Sequence, residues 1–435
     1  MKVATSSSTS AFGVIARTWA PLALNWLMMA LEGPLLVSLL GRLPEPTENL
    51  AAFSVAFSIA LIVEAPVMML LSTSAALGSS QSSYEKLWRF ASFLALPLSG
   101  LMGLIGIPAI FHGLNGVLWH LPKNLAEHVA GAVRLLIPWP AAIAYRRLWQ
   151  GILIRSGQAR LVAWGTVWRL IGMSLGAGAA YTLTKWPGVW IAATALSTGV
   201  VTEMVVVRLW SSPTLRRLPS KETTPLSYAK IFRFYFPLLL TSLLNVALTP
   251  LLTLLIAHGR EPILSLAGYS PTTNTVFLFS CLSVAYQEVV IVLLGTRVGN
   301  QLVAFAHRIA IGSMAGLSIL LLPQVHELWF GSLYELPAEV RHLTWKGILS
   351  MLPMPAVLVY LSYLKGRFIW AHQTRINLLS AVVEIISVAG LASTLLFVVQ
   401  MTALPAALLG LVGARMITLG VLSLLPYEAG LRKED

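Results

Sequence analysis

Two stretches decide how this chain of 435 residues folds: IPWPAAIAYRRLWQGILIRSGQAR at 137–160 and LPMPAVLVYLSYLKGRFIWAHQTR at 352–375. Set against each other at a separation of 215, Pro138 falls on Pro353, Pro140 on Pro355 and Tyr145 on Tyr360. Gly151 then meets Gly366, Gln158 meets Gln373 and Arg160 meets Arg375. Leucine matches are cheap in an apolar chain, but ordered matches of Pro, Gln and Arg are not. The register extends outward. Leu121-Pro122 falls on Leu336-Pro337, and at a separation of 216 Pro21 falls on Pro237, Pro34 on Pro250, Glu45-Pro46 on Glu261-Pro262 and Ser54 on Ser270. The chain is a tandem duplication.

What is duplicated is a membrane segment. The composition is 57% hydrophobic and 11% charged, where a soluble domain carries about 25% charged residues, and mean hydropathy is +0.77. Soluble enzymes, disordered regulators and disulfide scaffolds are excluded. The single Cys281 forms no internal bridge and no thiolate metal site. At about 20 apolar residues per crossing, twelve spans are expected near 16–41, 50–77, 90–111, 130–156, 161–183, 187–210, 232–258, 271–296, 303–323, 343–370, 376–398 and 402–425. Backbone groups in hydrocarbon must be satisfied within the segment, so the spans are helices. The fold class expected is an all-α polytopic membrane protein with two parallel six-helix repeats forming two lobes. The lobes are placed at 1–210 and 231–435, with a linker at 211–230 that carries Pro213, Pro219 and Pro225.

The formal charge of +13 does not indicate nucleic acid, because the basic residues sit in short loops. Nineteen lysines and arginines, from Lys2 to Lys433, fall in one set of loops or loop edges. Seven fall in the other: Arg42, Lys123, Arg134, Lys185, Arg260, Arg341 and Lys346. The positive-inside rule then places both termini in the cytoplasm. The N-terminus lacks an apolar core followed by a cleavage site, so no signal peptide is expected.

Two parallel lobes are a transporter architecture, with a cavity between them near mid-membrane; the plainer alternative is that duplication only builds a large bundle. Charges at membrane depth cost about 2.5–3.5 kcal/mol each on insertion scales, so each needs a partner, a wet cavity or a task. The candidates are Glu32, Glu64, Arg146, Arg147, Arg169, Glu203, Glu288, Glu384 and Arg415. Adjacent helical positions diverge by about 100°, so Arg146 and Arg147 cannot both face one cavity squarely. Glu203, one turn from Arg208, reads as interfacial. The repeat offset puts Leu361 and Ser362 opposite Arg146 and Arg147, Glu384 opposite Arg169, Ser280 opposite Glu64 and Ser72 opposite Glu288. Residues that break the symmetry are the better candidates for chemistry. Arg146, Arg147, Asn25, Asn245 and Gln287 are candidates for substrate binding. Glu32, Glu64 and Glu288 are candidates for ion coupling. Arg169, Glu384 and Arg415 are charge-pair candidates, the alternative role for any of these charges being an intramembrane salt bridge that fixes lobe packing. The histidines lie in or beside loops without metal-ligand spacing, and no P-loop or HExxH motif occurs, so no cofactor, metal or direct ATP drive is expected. An H⁺ or Na⁺ gradient is the expected drive. A membrane enzyme would need a nucleophile, acid/base pair or metal cluster at one depth, and none is seen.

The early proline of the first span, with P-x-P followed by Tyr and Gly in the fourth, resembles the multidrug/oligosaccharidyl-lipid/polysaccharide flippase (MOP) superfamily, which includes the multidrug and toxin extrusion (MATE) transporters. Leu31-Glu32-Gly33-Pro34 through Glu64-Ala65-Pro66, and Phe236-Pro237-Leu238 through Tyr286-Gln287-Glu288, resemble the progressive-ankylosis branch and its bacterial relatives. The resemblance implies two six-helix lobes that rock about a central cavity and a monomer that carries a small-molecule solute across the cytoplasmic membrane. Bacterial MATE transporters often handle the coupling ion with an Asp in the first helix; here that helix has only Asn25 and Glu32. The progressive-ankylosis branch implies export of a small organic anion, which Arg146, Arg147 and Arg169 would suit. An organic-cation antiporter, a lipid-linked oligosaccharide flippase and a non-transporting structural subunit are the alternatives.

Overall fold

A computed structural model describes residues 11–220, 226–371, 373 and 375–426. The N-terminal stretch read for a signal peptide and the C-terminal Lys433 lie outside these residues. Twelve long helical segments follow in order among the described residues, with short helices at Pro108–Asn115 and Pro323–His326 between them. The first lobe holds α1 (Ala11–Arg42), α2 (Pro46–Leu77), α3 (Gln81–Ile105), α4 (Lys123–Leu135 continued by Pro138–Arg155), α5 (Ala159–Leu183) and α6 (Gly188–Arg216). The second holds α7 (Tyr228–Ala257), α8 (Pro262–Leu293), α9 (Gly299–Ile319), α10 (Ala338–Ser350 continued by Met354–Trp370), α11 (Arg375–Val398) and α12 (Ala403–Leu424). No strand forms among the described residues; one isolated bridge joins Arg260 and Thr402.

Nine of these helices are long and apolar enough to cross a membrane among the described residues, and the pair bent by 42° that makes α10 is a tenth. The other two expected spans, α4 and α5, are helical over the expected residues. The proline pair breaks α4, and the arginines of α4 and α5 lower their hydropathy. The linker is shorter than expected, because α6 runs through Pro213 to Arg216, held by the bond from Gln158 Nε2 to Thr214 Oγ1 at 3.0 Å.

The backbone repeats along with the residues. Glu45 and Glu261 both adopt left-handed conformations (φ 56° and 54°) immediately before Pro46 and Pro262, which start α2 and α8. His120 and Glu335 do the same (φ 53° and 52°) ahead of Leu121-Pro122 and Leu336-Pro337. A non-glycine residue held there costs about 1–3 kcal/mol, so the same strain at the same place in both halves marks a shared turn that the packing enforces.

The lobes differ where their charges differ. Pro34 cannot donate to Ala30, and α1 is interrupted at Leu31. Its counterpart Pro250 lies in an unbroken α7. Likewise α2 breaks at a tight turn, Ala65–Val67, while α8 is continuous. The carbonyls freed at the α2 break are satisfied by α7: Ser242 Oγ donates to Ala65 O at 2.9 Å, and Tyr235 donates to Pro66 O.

The end of the bundle bearing the α1–α2 and α7–α8 turns, here the far end, is bridged between lobes. Arg42 Nε donates to Glu335 Oε1 at 3.0 Å, Ser38 Oγ to Leu333 O at 2.8 Å, and the rings of His120 and His258 lie 5.1 Å apart. Deeper in, Ser54 Oγ stands 2.8 Å from Ser270 Oγ, and Thr253 Oγ1 donates to Ser58 Oγ at 3.1 Å. Toward the other end, α1 seals against α8 and α9 through Trp19 and Phe12, and Tyr235 of α7 packs on Phe90 of α3.

Candidate functional site

Between the lobes lies a cavity of about 730 Å³. Its first-lobe wall carries charge: Glu32 of α1, Glu64 of α2, Arg146 and Arg147 of α4 and Arg169 of α5, with Trp139 among them. Its second-lobe wall is mostly apolar, with Leu248, Leu252, Phe277 and Met351, and carries the polar groups of Asn245, Thr249, Tyr269, Thr273 and Asn274 and one cation, Arg415 of α12.

The two acidic residues stand at the two helix breaks. Glu32 is the first residue of the resumed α1, where the N-terminal end of a helix dipole favours a carboxylate. It also accepts from Arg169 Nη2 at 2.5 Å. Glu64 is the last residue before the α2 turn, at a helix C-terminus, where the dipole favours a cation instead. It accepts from Trp139 Nε1 and has no ion-pair partner among the described residues. Arg169 lies over the Trp139 ring, 5.5 Å from its centroid. Glu64, Trp139, Arg169 and Glu32 thus form one continuous chain of contacts across the wall.

Arg146 is paired with Glu203 behind the wall, side chains 6% and 1% exposed, and Gln150 Nε2 donates to the second Glu203 oxygen at 3.0 Å. This corrects the expectation that Glu203 is interfacial. With α6 extending to Arg216, Glu203 falls at the middle of a helix of 29 residues. The spacing of Arg146 and Gln150, one turn apart on one helix face, was the signal for it. Arg147 points the other way, as the 100° divergence requires. It has no carboxylate partner among the described residues, and its Nη2 lies 3.7 Å from Met68 Sδ.

Arg169 and Glu384 do not pair. Each is satisfied inside its own lobe: Arg169 by Glu32, and Glu384 by Arg415, whose Nε donates to Oε1 at 2.8 Å. Arg415 Nη1 also lies 3.1 Å from Met354 Sδ, and Met354 is the repeat counterpart of Trp139. A guanidinium therefore sits over equivalent positions in both lobes, delivered by α5 in one and α12 in the other.

Of the remaining candidates, Asn245 lines the cavity, while Asn25 and Gln287 are not part of its lining. Glu288 is also outside the lining and accepts from Trp26 Nε1 at 3.1 Å, tying α1 to α8. Trp139, Trp26 and Met68 were not foreseen. Among the described residues no group of His, Cys, Asp or Glu is placed to hold a metal ion.

No family model and no curated protein sequence matches the chain. Solved structures do. An inward-facing multidrug resistance MATE transporter of the MOP superfamily superposes with a TM-score of 0.74 at 16% identity, over 93% of this chain and 96% of that one. The chain has the MATE fold. A eukaryotic MATE transporter matches with a TM-score of 0.65 at 17% identity, over 96% of this chain and 97% of that one. A MOP-superfamily transporter from Pyrococcus furiosus Vc1 (DSM3638), for which reversed polarity of the binding pocket suggests a different function, matches with a TM-score of 0.61 at 17% identity, over 96% and 97%. An outward-facing MATE structure superposes less well than the inward-facing one, with a TM-score of 0.62.

Proposed function

We propose that the protein is a secondary active exporter of a small organic anion, working by alternating access in the cytoplasmic membrane as a monomer with both termini inside. The fold supports the transporter class. The observation that carries the anion is Arg147, a guanidinium on the cavity wall that forms no ion pair among the described residues. Of the four arginines in the lining, Arg146, Arg169 and Arg415 are paired with Glu203, Glu32 and Glu384, which leaves Arg147 to meet a solute. The amides and hydroxyls of the opposite lobe would bind the polar remainder of such a solute. Glu64 is the residue proposed to couple an H⁺ or Na⁺ gradient, because it faces the cavity without a direct ion pair among the described residues and at a helix end that attracts a cation. Glu32 is already engaged by Arg169, and Glu288 is turned to Trp26.

Glu64 is also what favours a second reading, organic-cation antiport. Flux into proteoliposomes of citrate, pyrophosphate and a cationic dye separates the two. Arg147→Glu should cut anion flux at least tenfold, an effect on the order of 1.4 kcal/mol or more. Arg147 is the informative position because Arg146 is held in its buried pair. Anion flux unaffected by Arg147→Glu, with dye carried equally by both proteins, would remove the anion proposal.

A further inference from the structure

A second cavity, of about 610 Å³, opens on the outside of the second lobe near the far end, apart from the central one. Its rim is polar, with Arg260, Glu261, Gln400 and Thr402, and its floor is apolar, with Leu349 and Leu409. Leu349 and Leu409 are 47% and 37% exposed. Lys346 also lines the groove and is exposed. It lies eight residues into α10, about 12 Å along from the helix start at 1.5 Å per residue. Neither Lys346 nor Arg260 forms an ion pair among the described residues.

The duplication shows that this groove is a departure from the common plan. In the first lobe the counterpart of Lys346 is Gly131 and that of Pro405 is Trp190, and the Trp190 indole lies directly on Gly131, anchored by its bond to His128 O at 3.0 Å. The counterpart of Arg260 is Pro44. The first lobe therefore fills this space with an indole, and its cations at groove-equivalent positions are Arg134, opposite Leu349, and Lys185, opposite Gln400. In the second lobe the indole is replaced by a proline that also lines the groove, and the cations stand instead at Lys346 and Arg260. Arg260 is fixed in place: its carbonyl accepts from Ala403 N at 3.3 Å, and its Nη1 donates to Gln400 O at 3.1 Å.

We propose that this groove binds an anionic glycerophospholipid, its phosphodiester between Arg260 and Lys346 and an acyl chain along Leu349 and Leu409. An uncompensated lysine on the outer wall of a membrane helix needs an anion or a path to water. A groove polar at the rim and apolar at the floor fits an amphiphile rather than a free ion. The site is independent of what the central cavity carries.

The test is native mass spectrometry of delipidated, detergent-solubilised protein titrated with phosphatidylglycerol, phosphatidylcholine or inorganic phosphate. Wild-type protein should show one phosphatidylglycerol site stronger than any for phosphatidylcholine. Lys346→Gln, at an exposed position that leaves the fold intact, should weaken it about fivefold, the factor expected for one lysine near an anionic membrane surface. Lys346→Gly/Pro405→Trp, which copies the first lobe, should abolish it. Equal binding of the two lipids, or unchanged phosphatidylglycerol binding in Lys346→Gln, overturns the proposal. Displacement of the lipid by millimolar phosphate would show a site for a soluble anion and also overturns it.

Discussion

Ser54 and Ser270, equivalent positions of the two repeats, meet each other: their hydroxyl oxygens are 2.8 Å apart where α2 and α8 cross. Ser54 Oγ is also 2.8 Å from the carbonyl of Leu266, the counterpart of its own helical partner Leu50. The axis relating the lobes therefore passes between these side chains, and only small residues fit there, at 2% and 5% exposure.

That contact ties the two lobes together below the bridged far end, so its removal should shift the balance of states. Ser54→Ala/Ser270→Ala should lower the closed population by about 1 kcal/mol per lost bond, and Ser270→Leu should prevent closure. Distances between spin labels at Arg42→Cys and Glu335→Cys, in a Cys281→Ala background, would lengthen in both variants. Unchanged distances in Ser270→Leu would mean that the crossing does not control closure.

Arg146 and Glu203 are expected to matter for stability rather than transport. Glu203→Ala leaves a buried guanidinium without its counter-ion and should destabilise by about 3–5 kcal/mol. Replacing both with leucine should restore the thermal unfolding midpoint in detergent to near the wild-type value. A midpoint that stays low in the double variant would assign the pair a role beyond mutual neutralisation.

Glu64→Gln keeps an acceptor for Trp139 and so should keep the fold, while removing the carboxylate from the cavity. Gradient-driven uptake should fall to the level of passive exchange, and exchange without a gradient should persist. Uptake that still follows the imposed gradient would take the coupling role away from Glu64.

His326, in the short helix between α9 and α10, is 8% exposed against Phe330, with Nε2 3.2 Å from Arg341 O. Burial holds its pKa below the ordinary value of 6.5. The unfolded chain therefore takes up this proton first as pH falls, so stability is full above about 6.5 and declines below it. His326→Gln should flatten that decline in thermal unfolding measured from pH 8 to 5; an unaltered pH profile would exclude His326 as its source.

Much of this architecture is legible from the residue pattern alone. The matched Glu45-Pro46 and Glu261-Pro262 mark equivalent turns and helix starts in the two lobes, although the apolar count put those spans near 50 and 271. Partners of charges are another matter. The offset set Arg169 opposite Glu384 in sequence space, yet equivalence under a duplication places two residues in different lobes, not in contact. Glu32 and Arg415 became partners through the crossing of α1 with α5 and of α12 with α11, which no spacing encodes. Glu203 was misplaced by one error, the end of α6: a position one turn from Arg208 became the centre of a helix once Pro213 was accommodated. The breaks in α1 and α2 could not be inferred from proline alone, since Pro250 and Pro271 leave α7 and α8 intact.

The central claim is that one cavity faces the two sides of the membrane in turn, and it can be tested without knowing the solute. Thr273→Cys in a Cys281→Ala background places one thiol on the cavity wall. In oriented vesicles a membrane-impermeant maleimide should label it from either side. Adding Arg42→Cys and Glu335→Cys, and cross-linking them before the maleimide, should abolish labelling from the far end and spare labelling from the other. Labelling confined to one side in the uncross-linked protein would contradict alternating access.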